Sequence, residues 1–308
     1  MFRLAHMSDI HLSPLPRMTI RTLLSKRITG YLNWKLNRRG QLEDDTLEVL
    51  VDHMLDQHVD HIAITGDLVN LALDVELTNA RFWLNKLGRP EDVSVLLGNH
   101  DAYVPGAAAR AMKAWAPFLQ GDIPDPDHPF PYMRQRQDIA LIGLNSGVAT
   151  PPFRATGVFD AAQEKRTAKL LQKAGDEGLF RVVMIHHPPF ANATKPYKRL
   201  IGDQRFRDMV AEFGTELVLH GHTHITSYQR IEGPDQKIAV IGVPSASQAY
   251  TLPTNKKKYR QPARYNLFDI EQTNTGWMCS MTEYGYSNQH NQIAALATHK
   301  VIDHGKTL

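Results

Sequence analysis

One cysteine, Cys279, stands in 308 residues. An internal disulfide and a thiolate-built metal site are therefore excluded. Nowhere does an apolar run approach the ~18 to 20 residues that a membrane-spanning helix requires. The opening MFRLAHMSDIHLS lacks the basic leader, apolar stretch and small-residue cleavage site of a secretory signal. These absences set the expectation of a cytoplasmic protein, with peripheral membrane attachment left open. No Pro/Gly/Ser-rich linker and no internal repeat divides the chain, so one domain is expected over 1–286, followed by a polar tail at 287–308. One further absence is local. No acidic residue lies between Ile10 and Leu42, while Arg17, Arg21, Lys26, Arg27, Lys35, Arg38 and Arg39 do. Since the formal net charge is only +3, the rest of the chain is net negative, and the charge is concentrated rather than spread.

Short apolar runs recur and end in polar or glycine-containing residues. They are Phe2–Met7, His61–Thr65, Val93–Leu97, Ile139–Leu144, Arg181–Ile185 and Glu216–Leu219. Their length and their Val, Ile and Leu content predict buried strands. Helical patterns fall between them at Asp44–Gln57, Asp74–Leu87, Gly106–Leu119, Asp160–Lys173 and Asp203–Phe213, with Asp160 and Asp203 at N-cap positions. Alternation of this kind predicts a layered α/β fold. After Thr226 the pattern turns to strands without helices, at Ser227–Ile231, Lys237–Gly242, Ala263–Ile270 and Gly276–Tyr284, which predicts antiparallel strands completing a sheet.

The residues that end the first set of strands share one chemistry: Asp9 and His11, Asp67, Asn99 with His100 and Asp101, His186 with His187, and His222 with His224. Residues just past the carboxyl ends of strands gather along one edge of an α/β sheet. Carboxylate, imidazole and amide donors without thiolates suit divalent ions such as Mn, Fe or Zn. On an extended segment, residues two apart point to one side, so Asp9 and His11 are expected to grip one ion with Ile10 turned inward. Gly66, Gly98 and Gly221 are expected to let the backbone turn sharply and approach closely. His222 and His224 repeat the two-residue spacing, and the pair leaves open whether they face one ion or two. His6, His53, His58, His61, His128 and His220 are read as core or surface residues. His187 supports a neighbouring ligand or touches substrate, and Asn145 caps a turn.

Asp9-X-His11, Gly66-Asp67-X-X-Asn70, Gly98-Asn99-His100-Asp101, His186 and Gly221-His222-Thr223-His224 resemble, in order, the five motifs of the calcineurin-like metallophosphoesterases. Asn70 departs from the acidic residue common at its position. The resemblance implies a four-layer αββα sandwich and two divalent metals. Asp9, His11, Asp67 and His224 would hold the first, and Asp67 (bridging), Asn99, His186 and His222 the second. It implies a hydrolase in which metals about 3.5 to 4 Å apart activate a bridging hydroxide and clamp an in-line displacement at phosphorus. His100 would protonate the leaving oxygen or stabilise its charge, with Asp101 fixing its orientation.

The acid-free stretch carries Ile20, Leu23, Leu24, Ile28, Tyr31, Leu32 and Leu36 at helical spacing. It predicts a basic amphipathic insertion over 14–42 beside the first metal motif. This is either a packed cap with solvated charges or a lid resting through 17–39 on an anionic membrane, with Arg21, Lys26 and Arg27 as substrate contacts. A second basic run, Lys256–Arg260, belongs to a late loop. A phosphodiesterase is the expected activity. The insertion resembles those of UDP-2,3-diacylglucosamine hydrolases and a phospholipase-C-like group, which implies a lipid-linked phosphodiester or pyrophosphate. The histidine motifs also resemble cyclic-nucleotide phosphodiesterases. A nucleic-acid partner is disfavoured by the lack of interleaved stacking aromatics. A phosphate- or membrane-binding scaffold is the non-enzyme alternative, and the oligomeric state is not set by the sequence.

Overall fold

A computed structural model describes residues 1–15, 25–28, 31, 44–249, 261–287 and 292–302. Fourteen strands and five α-helices are found among the described residues. The first sheet contains β1 (Phe2–Met7), β2 (His61–Ile64), β3 (Val93–Val95), β12 (Arg264–Thr273), β13 (Gly276–Tyr286) and β14 (Ile293–Ile302), in the order β14-β13-β12-β1-β2-β3. The second contains β4 (Tyr132–Arg136), β5 (Ile139–Gly143), β7 (Phe180–Met184), β9 (Leu217–His220), β10 (Ser227–Ile231) and β11 (Ile238–Gly242), in the order β10-β11-β9-β7-β5-β4. A short parallel pair joins β6 (Gly157–Val158) to β8 (Leu200–Ile201). The helices are α1 (Asp44–Leu55), α2 (Asp74–Leu87), α3 (Ala107–Trp115), α4 (Ala161–Asp176) and α5 (Asp203–Phe213).

The two-residue period of a strand sends alternate side chains to opposite faces, and the second sheet shows what that does. Leu141, Val182, Met184, Leu217, Leu219 and Ile241 share one core with Leu4, Ile64 and Phe268 of the first sheet. Their chain neighbours Ile142, Val183, Val218 and Val240 form a separate core with Leu171 of α4 and Phe206 and Val210 of α5. Leu50 of α1, Leu84 of α2 and Trp115 of α3 are buried with the first sheet. The result is helices, sheet, sheet, helices. Burial on both faces explains why these strands read as unbroken apolar runs.

Asp160 caps α4 as expected, its carboxylate accepting from Gln163 N at 2.7 Å. Helix α5 starts differently: its cap is Gly202 at φ 94°, and Asp203 opens the first turn. The region read as a polar tail contributes β14, which pairs antiparallel with β13 at the sheet edge. Its sequence, IAALATHKVI, is half exposed and alanine-rich, so it lacks the apolar signature of the central strands.

His6 and His220 are buried as expected of core residues. Burial and the neighbouring ring push His6 down to about 3, and burial pushes His220 down to about 4. An unfolded histidine titrates near 6.5. Below that pH the unfolded chain takes up protons that the folded chain refuses, so stability falls as pH drops. Each tenfold difference in proton affinity between the two states is worth about 1.4 kcal/mol, so the loss reaches several kcal/mol near pH 4. The melting temperature of protein stripped with EDTA is expected to fall steadily from pH 6.5 to 4, less steeply in His6→Gln. A curve flat across that window contradicts the assignment.

Candidate metal centre

Strands β1, β2 and β3 run parallel, and so do β5, β7, β9 and β11. Their carboxyl ends therefore open on one edge of each sheet. The two edges are tied together there: His222 N donates to Asp9 Oδ2 at 2.9 Å, and a ring nitrogen of His186 lies 2.6 Å from the Thr65 carbonyl.

Asp9, His11, Asp67, Asn99, His186 and His222 are buried, and His224 is partly exposed. Donor atoms of Asp9, His11 and His224 lie within 4.8 Å of one another, as do those of Asp9, Asp67 and His186. His186 Nε2 stands 3.5 Å from Asp67 Oδ2 and 3.3 Å from Asn99 Oδ1. His224 Nε2 is 2.9 Å from Oδ1 of Asp9, a fully buried carboxylate. All seven expected ligands are thus brought together. His222 and His224 part company, His222 grouping with His186 and His224 with Asp9 and His11.

The spacing works for a different reason from the one expected. Residues 9–11 lie beyond β1 and are not extended. Asp9 and His11 have φ 53° and 45°, and Asp67, His222 and His224 have φ 58°, 68° and 55°. Left-handed backbone costs a non-glycine residue roughly 1 to 2 kcal/mol, less for Asp and His, which favour it among such residues. Ile10, fully buried between two such residues, anchors the first turn in the core. Close approach explains two of the glycines. A Cβ on Gly98 would overlap the Asp67 carboxylate, and one on Gly221 would overlap Ser8 Oγ.

The loop after β2 sets the histidines. A carbonyl only accepts, so a ring nitrogen facing one must carry the proton. His186 Nδ1 faces Thr65 O at 2.6 Å, His11 Nδ1 faces Val69 O at 3.2 Å, and His100 Nδ1 faces Asn70 O at 2.6 Å. All three rings thereby commit Nδ1 to a carbonyl and leave Nε2 as the nitrogen available to the centre. His222 is reversed, with Nε2 donating to Lys198 O at 2.9 Å and Nδ1 left as the donor atom for a metal.

That loop is itself held by two buried carboxylates. Asp101 accepts from the backbone N–H of Asp67 (2.8 Å), Leu68 (3.0 Å), Val69 (3.2 Å) and Gly98 (2.8 Å). Glu76 accepts from Asn70 (2.9 Å), Leu71 (3.1 Å) and Leu73 (2.9 Å). Asp101 therefore clamps the backbone of two motifs, while the contact that turns the His100 ring is the Asn70 carbonyl. Burial and the Asp67 charge push the Asp101 carboxyl up to about 7, against the pull of its N–H donors. Sequence reading missed Glu76. The available signal was an acid at the third position of α2, where such a side chain reaches back to free backbone donors.

Burial opposes charge throughout the centre, yet the histidine neighbours hold Asp9 and Asp67 below the usual carboxylate range. Burial would lower His186, but Asp67 and Asp9 together outweigh it and raise the ring to about 9. Burial and the adjacent His187 and His186 rings keep His222 neutral. Two clustered buried carboxylates among imidazole nitrogens and an amide oxygen fit divalent cations of the harder or borderline kind.

The expected substrate contacts separate. His187 is fully buried. Its Nε2 donates to Ala155 O (3.2 Å), its Nδ1 accepts from Ser146 Oγ (2.8 Å), and its ring packs 4.3 Å from that of His222. Both nitrogens are committed within the protein, and the ring packs against His222. Arg27 donates to Leu71 O and Ala72 O at 3.0 and 2.8 Å, which makes it a clamp on the β2 loop. Lys26 donates to Thr150 Oγ1 (2.7 Å) and Arg154 O (3.1 Å) and lies 4.7 Å from the Tyr103 ring centroid, and that ring stacks on His100. Arg21, most of the 14–42 insertion and Lys256–Arg260 lie outside the described residues. Asn145 makes its turn, accepting from Gly147 N at 2.9 Å.

Two sheets sandwiched between helices, with paired Asp/His clusters where their edges meet, define a metal-dependent phosphoesterase. The profile of the calcineurin-like phosphoesterase family matches residues 2–226, and the chain belongs to that family. Among solved structures, it is similar to a dimetal phosphatase from Danio rerio at 12% identity and TM-score 0.60, covering 96% of this chain and 99% of that one. It is also similar to the NAD nucleotidase of Haemophilus influenzae (12%, TM-score 0.51) and to the purple acid phosphatase PPD1 of yellow lupin (10%, TM-score 0.54). Each covers 96% of this chain, which spans 53% and 52% of their respective lengths. At these identities the likeness is one of fold. A comparison with curated proteins gives no match. Among the described residues no helix is long and apolar enough to cross a membrane.

Proposed function

We propose that this phosphoesterase is a dinuclear phosphodiesterase acting on a lipid-linked phosphodiester or pyrophosphate. Asp9, His11, Asp67 and His224 would hold one metal, and Asp67, Asn99, His186 and His222 the other. When bound, such a pair activates a water and neutralises charge on the phosphoryl oxygens. The chain's own part is positional. The carbonyls of 65, 69 and 70 fix the rings, and the glycines at 98 and 221 bring backbone against the carboxylates. A ring nitrogen of His100 lies within 4.8 Å of donor atoms of His11 and Asp67. With Nδ1 donating to Asn70 O, Nε2 is the nitrogen left for a leaving oxygen, and the ring would give up a proton there when it carries one on each nitrogen.

The observation that carries the substrate reading is the charge around this edge. No acidic residue occurs between Asp138 and Asp160, between Glu177 and Asp203, or between Ile10 and Leu42. The loops from these stretches meet at the site, through Lys26 with Arg154 and through His222 with Lys198. The test is turnover by Mn-loaded protein of monoesters, linear diesters, cyclic nucleotides, phospholipids and nucleotide-lipid pyrophosphates, with His100→Ala in parallel. The lipid-linked arm is expected to lead. His100→Ala is expected to keep both metals and lose about 10²- to 10⁴-fold in turnover of esters with poor leaving groups. Preference for cyclic nucleotides replaces the lipid reading, and full activity of His100→Ala removes the proton-transfer role.

A further inference from the structure

The turn Pro151-Pro152-Phe153-Arg154 joins β5 to β6 at the rim of the metal centre. Arg154 N donates to Pro151 O at 3.2 Å, closing a four-residue turn. Phe153 occupies its third position at φ 65°. With proline second and a left-handed residue third, the turn is type II, where glycine or asparagine is the expected occupant. A phenylalanine there is strained, and packing usually offsets such strain. Here it does not, because Phe153 is 82% exposed. The base of the turn is firmly held. Lys26 Nζ bonds Thr150 and the Arg154 carbonyl, Ala155 N donates to Tyr197 O at 2.9 Å, and Ala155 O receives His187.

The neighbouring segment, to which Ala155 pairs, carries Lys195, Tyr197, Lys198 and Arg199, all exposed. An aromatic ring held outward on a rigid turn, bordered by cations and an amphipathic tyrosine, has the chemistry of an interfacial anchor. The ring enters the headgroup–acyl boundary while the cations meet anionic headgroups. We propose that the Pro151–Arg154 turn is a membrane wedge that seats the metal centre on a bilayer rich in anionic lipid, with Phe153 as the inserted residue. The inference rests on the reading of the site as one for lipid-linked phosphoesters, and it assigns the surface that brings the enzyme to them.

Phe153→Gly separates the wedge from the fold, because glycine suits the left-handed position better than phenylalanine does. Its melting temperature is expected to equal or exceed that of the wild type, with unchanged turnover of soluble bis(p-nitrophenyl) phosphate. Its partitioning onto phosphatidylcholine/phosphatidylglycerol vesicles should fall about tenfold or more. Phe153→Trp should bind those vesicles with a blue-shifted emission that brominated acyl chains quench, and should ignore pure phosphatidylcholine. Undiminished vesicle binding by Phe153→Gly, or an unquenched tryptophan, overturns the wedge. So does a wild type that binds no anionic vesicle, while its turnover of detergent-dispersed lipid phosphoesters would leave the substrate reading standing. Phe153-dependent binding without turnover of any lipid phosphoester upholds the wedge and retires that substrate reading. A raised KM of Phe153→Gly for the soluble diester would make Phe153 a substrate contact instead, and overturns the wedge.

Discussion

Asp67→Asn is expected to yield a folded protein that holds fewer than two metals and loses phosphodiester turnover by about 10³-fold or more, as several kcal/mol of metal-borne charge stabilisation disappears. Asp67 is the carboxylate nearest both halves of the centre, with Oδ2 3.5 Å from His186 Nε2 and 3.9 Å from His11 Nε2. Its other oxygen accepts from His100 N at 2.7 Å. Asparagine keeps one acceptor and the volume but removes the charge that two cations would share. In EDTA the variant should melt below the wild-type temperature, because the His186, His100 and His11 rings that hold Asp67 below the usual carboxylate range lose their charged partner. The readouts are metal content by mass spectrometry, turnover of bis(p-nitrophenyl) phosphate and melting in EDTA. Two metals per chain with near-normal turnover would show that Asp67 bridges nothing.

Asp101→Asn is expected to act on the fold. Four backbone N–H groups converge on its carboxylate, and the amide replaces one acceptor oxygen with two donors facing those same groups. A buried donor left unsatisfied costs about 1 to 3 kcal/mol, and such costs are not additive. A loss of roughly 4 kcal/mol is therefore reasonable, which for a domain of this size lowers the melting temperature on the order of 10 °C. Measuring in EDTA keeps metal linkage out of the comparison. Two ideas are thereby separated. If Asp101 served only to orient His100, turnover would fall while apo-protein melting stayed put. If it clamps the 67–69 and 98 backbones, melting falls first, and activity follows through misplaced Asp67 and Asn99.

Much of this was legible in the chain. The candidate ligand set followed from chemistry at strand ends, because a parallel strand buried on both faces is an apolar run whose first polar residues necessarily lie at its carboxyl edge. Helix α2 matched its expected range, since its apolar period is undisturbed. What escaped were features without a local signature. Strand β14 is stabilised by its partner β13 and not by its own pattern. The left-handed conformations at five candidate ligands are imposed by anchors such as Ile10 and by contacts between the sheets. The roles of His187 and Arg27 depended on carbonyls 32 and 44 residues away.

By itself the sequence determined the layered α/β class, the family motifs, the donor set without thiolates and the concentration of basic charge, because each is a property of residue type and short-range order. Tertiary structure alone decided which histidine nitrogen faces the centre, that Asp101 and Glu76 hold one loop between them, and that Phe153 projects from a strained turn at the cationic rim. Those outcomes depend on where a distant backbone carbonyl or amide comes to rest, and only packing two sheets face to face fixes that.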